Sequence, residues 1–511
     1  MLFLFYGCGP SGSSYSTKQI GSGGVFPYFR SDSTYTSYLC IFNSSEYKID
    51  AKVVYRDKTG ATAASSTETL EPFASVRLTQ SNFTGSVSVD GSGEDDALHC
   101  QLEMRKNNGA GVALAEPACS AGYVWFYYLD VKDDGPGKER TTVVTYNFSS
   151  TQTIYVTYGW GDVACCYSNN FEVSIPPLGF YSFQPYTVSK TAFEGVLYAG
   201  ANSGSKQSGQ QLRCHGGALF YESSTDIALN DFKPPHFPYA SAPSYPKGYE
   251  NWYKMYIPDV QDDGASRADR IHLKLNTAAN YNAQKYITVP IYFYDQKGKA
   301  VTYATLNPVK LLNMFDTNES YQSVSPMKLL GSSFSGSVFI DNPYWDSGKL
   351  QASVSREAPG QWKAMSDYSP PGGSYQGKNC LPYVSNAETG WIYQVVLLYP
   401  GANLSVSGTP PKDAPATFSG PTVTLPTASG GYVYLKFFEM DGTYKGALAY
   451  KMTSNQTLLV NLSDSAVTKY LSDFKGALVI EPRDVVVQLE LRDKNKSCFA
   501  STGNWYSMKG Y

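Results

Sequence analysis

A Phe-x-Gly tripeptide leading into alternating apolar residues occurs four times in this chain, at Phe83, Phe193, Phe334 and Phe474, at intervals of 110, 141 and 140 residues. Repetition at such a period means one similar unit per copy, and each interval is wide enough for one β-sandwich and a linker. Upstream of each copy a strand-like run ends in a tight turn: Tyr55 to Gly60, Tyr158 to Gly161, Tyr294 to Gly298 and Phe438 to Gly442. Glycine belongs there because a hairpin turn needs positive φ. Downstream follows another alternating strand, His99 to Arg105, Gln211 to Tyr221, Lys349 to Arg356 and Val485 to Arg492. Three units also carry an earlier strand ending in Asn43, Asn147 or Asn276. The fourth has no clear counterpart, so its first half is expected to be rearranged around residues 400–421.

Each unit offers about six strands with turn signals between them, and period-2 alternation turns one face of each strand into a shared core. With 42 Tyr, 25 Phe, 45 Gly and few helix-forming runs, the chain reads as all-β; 42% hydrophobic and 17% charged residues supply several cores. The expected organisation is an N-terminal arm (1–20), sandwich one (21–112), sandwich two (120–230), a Pro-rich linker (231–250), sandwich three (251–358), a Pro/Gly-rich linker (359–385) and sandwich four (386–500). Trp252, Tyr253, Trp362 and Tyr368 fall in or beside the linkers, where aromatic residues wedge modules together or form a platform for sugar rings.

The arrangement resembles the immunoglobulin-like β-sandwich modules repeated in tandem in secreted bacterial surface proteins. The residues that carry the likeness are Val25 to Phe29, a following strand ending in Asn, a Tyr-Asp-x-x-Gly hairpin and a Gly-Ser-Val strand. It covers modules one and three well, two moderately and four only in its second half. The resemblance implies a stalk, spacer or adhesive unit and a location, more than an activity.

Catalytic signatures are absent from the sequence. Gly7 to Gly12 matches a dinucleotide fingerprint in spacing, but Ser13 to Gly24 is too rich in Ser and Gly to supply the helix that would meet a phosphate. Gly372 to Asn379 is one residue short of a P-loop. His99, His215, His236 and His272 fall without a second His at ligand spacing. A hydrolase would need paired carboxylates across a groove, and no unit stands out as chemically distinct. Two acidic turns repeat, Asp130/Asp133/Asp134 and Asp259/Asp262/Asp263. Such carboxylates either flank a solvated Asp-Gly turn, the favoured reading, or gather around calcium, with Glu94 to Asp96 as a weaker echo.

A net charge of −3 without long charge blocks leaves no footprint for nucleic acid, and no apolar run is long enough to span a membrane. The nine cysteines, Cys8, Cys40, Cys100, Cys119, Cys165, Cys166, Cys214, Cys380 and Cys498, sit in or beside strands and are expected to form disulfides in an oxidising compartment. The expected pairs are Cys40 with Cys100, Cys214 with Cys165 or Cys166, Cys380 with Cys498 and Cys8 with Cys119. Eight Asn-x-Ser/Thr sequons, including Asn43, Asn82 and Asn147, mark surface loops. Met1, Leu2, Phe3, Leu4, Phe5 and Tyr6 form an apolar, strand-length arm that either adds to a neighbouring chain or is the remnant of an export signal. The expectation is therefore a non-enzymatic, extracellular structural surface protein: a rod of sandwiches that assembles head to tail with itself. An adhesin that binds glycans is the alternative.

Overall fold

The computed structural model describes residues 24–91, 97–117, 125–160, 169–203, 215–223, 227–231, 254–276, 286–289, 291–301, 309–312, 321–341, 349–358, 362–368, 379–399, 432–481, 485–495 and 499–501. They form four all-β modules, each built on two antiparallel sheets. In module one the first sheet runs Gly24–Ser31, Phe83–Gly91, Ile49–Arg56, Thr62–Leu70. The second runs Ser75–Leu78, Tyr35–Asn43, Leu98–Lys106, Val112–Ala115. Counted along the chain, the strand orders are 1-6-3-4 and 5-2-7-8. Modules two and four repeat both orders. Module three repeats the second order and the 1-6-3 part of the first, and adds a ribbon of Tyr286–Val289 with Val309–Leu312.

The Phe-x-Gly glycine is fixed by the approach of strand three. A Cβ on Gly85 would lie 2.2 Å from the Arg56 carbonyl oxygen, on Gly336 1.9 Å from that of Tyr294 and on Gly476 2.0 Å from that of Phe438. Opposite it, strand one is bulged in every module, its register skipping over Pro27-Tyr28, Leu129-Asp130, Pro258-Asp259 and Pro382-Tyr383. Proline is at home there because a bulge leaves ladder groups unpaired.

The Asn that ends strand two is structural. Asn43 Nδ2 donates to the carbonyls of Tyr47, Leu70 and Glu71 at 2.6, 3.2 and 3.1 Å. Asn147 Nδ2 donates to those of Gln152, Ile175 and Pro176 at 2.7, 3.1 and 3.0 Å. Both side chains are buried, so these two sequons are not surface loops. Module four is not rearranged in its first half, contrary to expectation. Its second strand is Trp391–Leu398, and Tyr399 N donates to the Gln456 carbonyl just as Asn43 N does to Ala74 and Asn147 N to Gly179.

The modules do not form a rod. The eighth strands of consecutive modules, Val112–Ala115, Ile227–Asp231, Trp362–Tyr368 and Phe499–Ser501, lie side by side, and the last packs against the first. Four modules thus close a ring around these strands. The eighth strands of modules one and two each serve two cores: Ala113 and Ala115 face module one while Val112 and Leu114 enter the core of module four. Likewise Ala228 stays with module two while Ile227 and Leu229 enter module one. Trp362–Tyr368 corrects the linker placed at 359–385, for it is the eighth strand of module three, and Asn379–Ser385 is already the first strand of module four. Trp252, Tyr253 and the N-terminal arm lie outside the described residues. Among the described residues, no helix is long and apolar enough to cross a membrane.

Candidate functional site: the seams between modules

Charged and polar side chains gather where one module meets the next. In all four seams strand one of a module faces strand two of its successor, and in three of them strand seven as well, with module four facing module one. Three seams share one backbone contact. The hairpin after strand three presents a carbonyl to the first N–H of the neighbour's strand five: Lys58 to Phe180 at 3.2 Å, Gln296 to Thr457 at 3.2 Å and Met440 to Ser75 at 2.9 Å. The hairpin glycine then lies on a residue of positive φ in that neighbour, Leu178, Asn455 or Phe73. A Cβ on Gly60 would be 2.1 Å from the Pro177 oxygen, on Gly298 2.3 Å from that of Ser454 and on Gly442 2.3 Å from that of Pro72. Glycine is therefore required twice, by the turn and by the seam.

The strand-one bulge fills each seam with different chemistry. Tyr28 packs on Phe220 of module two with ring centroids 5.0 Å apart, and beside it Tyr35 donates to Glu222 at 2.9 Å. Asp130 meets His272 of module three, Oδ2 to Nε2 3.7 Å. The same nitrogen lies 2.8 Å from Ser355 Oγ, and Nδ1 lies 2.7 Å from the Tyr321 hydroxyl. Because Asp130 and Ser355 share one nitrogen and Ser355 is buried, this is not the relay of a hydrolytic triad, in which the acid holds the far nitrogen.

Between modules three and four, Asp259, Asp269 and Glu490 face Arg267, Arg356 and Arg492. Arg267 binds Asp259 at 2.8 Å and Asp269 at 2.9 Å. Across the seam Arg356 donates to Gln488 at 3.1 Å, and Glu490 accepts from Gln488 at 2.8 Å and Gln394 at 2.9 Å. Burial, helped by the nearby Asp259 charge, raises the Glu490 carboxyl to about 7 against the pull of the arginines. Burial likewise holds Asp269 above the usual carboxylate range.

The seam that closes the ring is a balanced square of two arginines and two glutamates. Arg77 reaches Glu388 of module four at 2.9 Å and Glu103 of its own module at 3.1 Å. Arg105 bonds Glu103 and reaches Glu388 at 2.6 Å. Burial alone would raise Glu388; Arg105 and Arg77 override it and hold the carboxylate below its ordinary range. Arg77 also lies over the Tyr38 ring at 3.8 Å and Arg105 over Trp391 at 4.4 Å. Such desolvated pairs are costly to break singly because one charge is left buried alone.

The two Asp sets are dispersed rather than gathered. Asp130 and Asp259 occupy the bulges. Asp133 accepts from Tyr186 N at 2.8 Å, and Asp262 from Met327 N at 3.0 Å and Ser325 Oγ at 2.6 Å, so each holds the short helix before strand six. Asp263 accepts from the backbone of its own turn at Ala265, Ser266 and Arg267, and Asp134 lies 3.9 Å from Lys132. Among the described residues no group of three or more His, Cys, Asp or Glu is placed to hold a metal ion.

The disulfide expectation fails at its first pair. Cys40 lies opposite Gln101 and Cys100 opposite Ile41, a one-residue offset that turns the two thiols to opposite faces of one sheet. Cys100 joins the core of module one and Cys40 that of module four. No bridge joins Cys40, Cys100 and Cys380 to one another. Cys380 is buried in the closing seam with Phe42 and Phe438. Cys8, Cys119, Cys165, Cys166, Cys214 and Cys498 lie outside the described residues, as do Glu94 to Asp96 and His236. His99 and His215 are buried core groups: His99 meets Ser44 at 3.0 Å, and burial depresses His215 to about 3.

No family model matches the chain, and no curated protein matches it. Among solved structures it is compared with a glycoside hydrolase family 32 structure from Bifidobacterium adolescentis, at 10% identity over 95% of this chain and 96% of that one, TM-score 0.14. A tetra-tandem repeat from the extending region of a large adhesion protein aligns at 10% identity over 91% of this chain and 92% of that one, TM-score 0.10. Superpositions this poor carry no argument about fold or function.

Proposed function

We propose that this chain is a non-catalytic structural subunit of an extracellular surface assembly, contributing a rigid closed block rather than a flexible rod. The observation that supports it is the use of the charged residues: in the two richest clusters, Arg77, Arg105, Glu103 and Glu388 and then Asp259, Arg267, Asp269, Arg356 and Glu490, the side chains lie buried or half-buried in seams and are spent on joining modules. Three seams also share one backbone contact, which fixes the modules in place as a stalk with loose linkers would not. Labelling of intact cells with antibody against the folded chain, followed by electron microscopy of the extracted material, tests this. Surface label and ordered arrays are expected. Label confined to the cell interior would overturn the location, and specific retention on a glycan array would move the reading to an adhesin.

A further inference from the structure

Closure of the ring disposes of most sheet edges. First strands face the next module, eighth strands face one another, and in three seams the fifth strand receives a hairpin carbonyl. Among the described residues, what is left is the outer edge of strand four in modules one, two and four and the fifth strand of module three. In module one this is Thr62–Leu70, nine residues long, paired on one side with Ile49–Arg56 and, among the described residues, with no strand on the other. Proteins blunt such edges with Lys, Pro or bulges. The fourth strand of module four, Tyr444–Lys451, carries Lys445 and Lys451. Thr62–Leu70 has neither Lys nor Pro, its one register shift is confined to its first residues, and Ser65, Ser66 and Thr67 are exposed.

We propose that this edge pairs antiparallel with the same edge of a second copy of the chain, about a twofold axis at Ser66. The sequence is self-complementary in that register. Ser65 falls opposite Thr67, a pair that hydrogen-bonds across strands, and Glu68, the only charge, falls opposite Ala64 rather than against its own copy. A twofold contact of this kind uses one patch on both partners. This deepens the assembly part of the reading above and is tested separately from cell-surface location, so either can fail alone.

Sedimentation equilibrium of the full chain is the test, with Ser66→Lys and Ser66→Glu variants at an exposed position. Wild type is expected to dimerise. Each variant alone sets like charges face to face and is expected to weaken the dimer at least tenfold, whereas an equimolar mixture of the two restores it, which also shows that both are folded. A wild type that stays monomeric at high concentration overturns the pairing, as does a Ser66→Lys dimer of unchanged or greater strength. Edge amides of Thr62–Leu70 protected from exchange in a monomer would show instead that the chain's own residues cover the edge, and would equally overturn it.

Discussion

Replacing Glu490 with Gln tests the electrostatics of the seam between modules three and four. The folded chain holds this carboxyl at about 7 against an ordinary 4.5. Burial is the chief cause, so the unfolded chain releases the proton first as pH rises. Between those two values the folded state binds the extra proton, and stability falls with rising pH at about 1.4 kcal/mol per unit. The loss is complete above about 7 and amounts to roughly 3 kcal/mol. Below 4.5 both states are protonated and the group contributes nothing to the slope. Gln imitates the protonated acid: its one oxygen can accept from Gln394 or Gln488, and its NH2, like the acid's O–H, faces the other amide. The variant should therefore match wild type near pH 4 and exceed it by roughly 3 kcal/mol near pH 8.5, a rise of roughly 10 °C in the melting temperature for a unit of two modules. Differential scanning calorimetry of both proteins at both pH values reads the difference directly. A variant less stable than wild type at pH 8.5 would refute the reasoning, since it would mean that the three arginines need the Glu490 charge more than burial opposes it.

Gly442→Val should open the closing seam, because the side chain meets the Pro72 oxygen and the backbone has φ 90°; a cost of about 2–5 kcal/mol and faster exchange of the Ser75 amide, measured by hydrogen exchange, are expected. Asn147→Ala leaves the carbonyls of Gln152, Ile175 and Pro176 without that donor and should cost about 1–3 kcal/mol in chemical denaturation, whereas Asn82→Ala, at an exposed turn, should cost less. Cys40 and Cys100, whose thiols burial pushes well above the usual range, should resist alkylation in the native protein and react once it is unfolded, as peptide mapping of the labelled sites would show.

The strands that alternate were legible. Phe-x-Gly, the hairpin glycines Gly60, Gly298 and Gly442 and the Asn at 43 and 147 all mark real features, because each answers a local demand of backbone geometry or hydrogen bonding. What escaped were features whose reason lies in another module. Val112-Ala-Leu-Ala115 does not alternate between apolar and polar because both of its faces are buried, so it read as the end of a domain. The eighth strand of module three, Trp362–Tyr368, lies inside a Pro/Gly-rich stretch that read as linker. Cys40 and Cys100 sit on adjacent strands as expected, yet a one-residue offset that composition cannot reveal turns them apart. The six Asp residues were visible as repeats, but their division between seams, helix starts and turns depends on contacts made far along the chain. Pro27, Pro258 and Pro382 inside three first strands were the available signal for the bulges that carry seam residues.

Closure of the four modules into one block is the central claim, and small-angle X-ray scattering of the dilute monomer tests it most directly. A compact particle of 511 residues has a radius of gyration of about 24 Å, and a flattened ring of four sandwiches stays below about 30 Å. The same modules strung in a line would give about 40 Å or more, with the long tail of a rod in the distance distribution. A value in the lower range is the expected result; a value near 40 Å in a monomeric sample would contradict the closed ring and return the chain to an extended array.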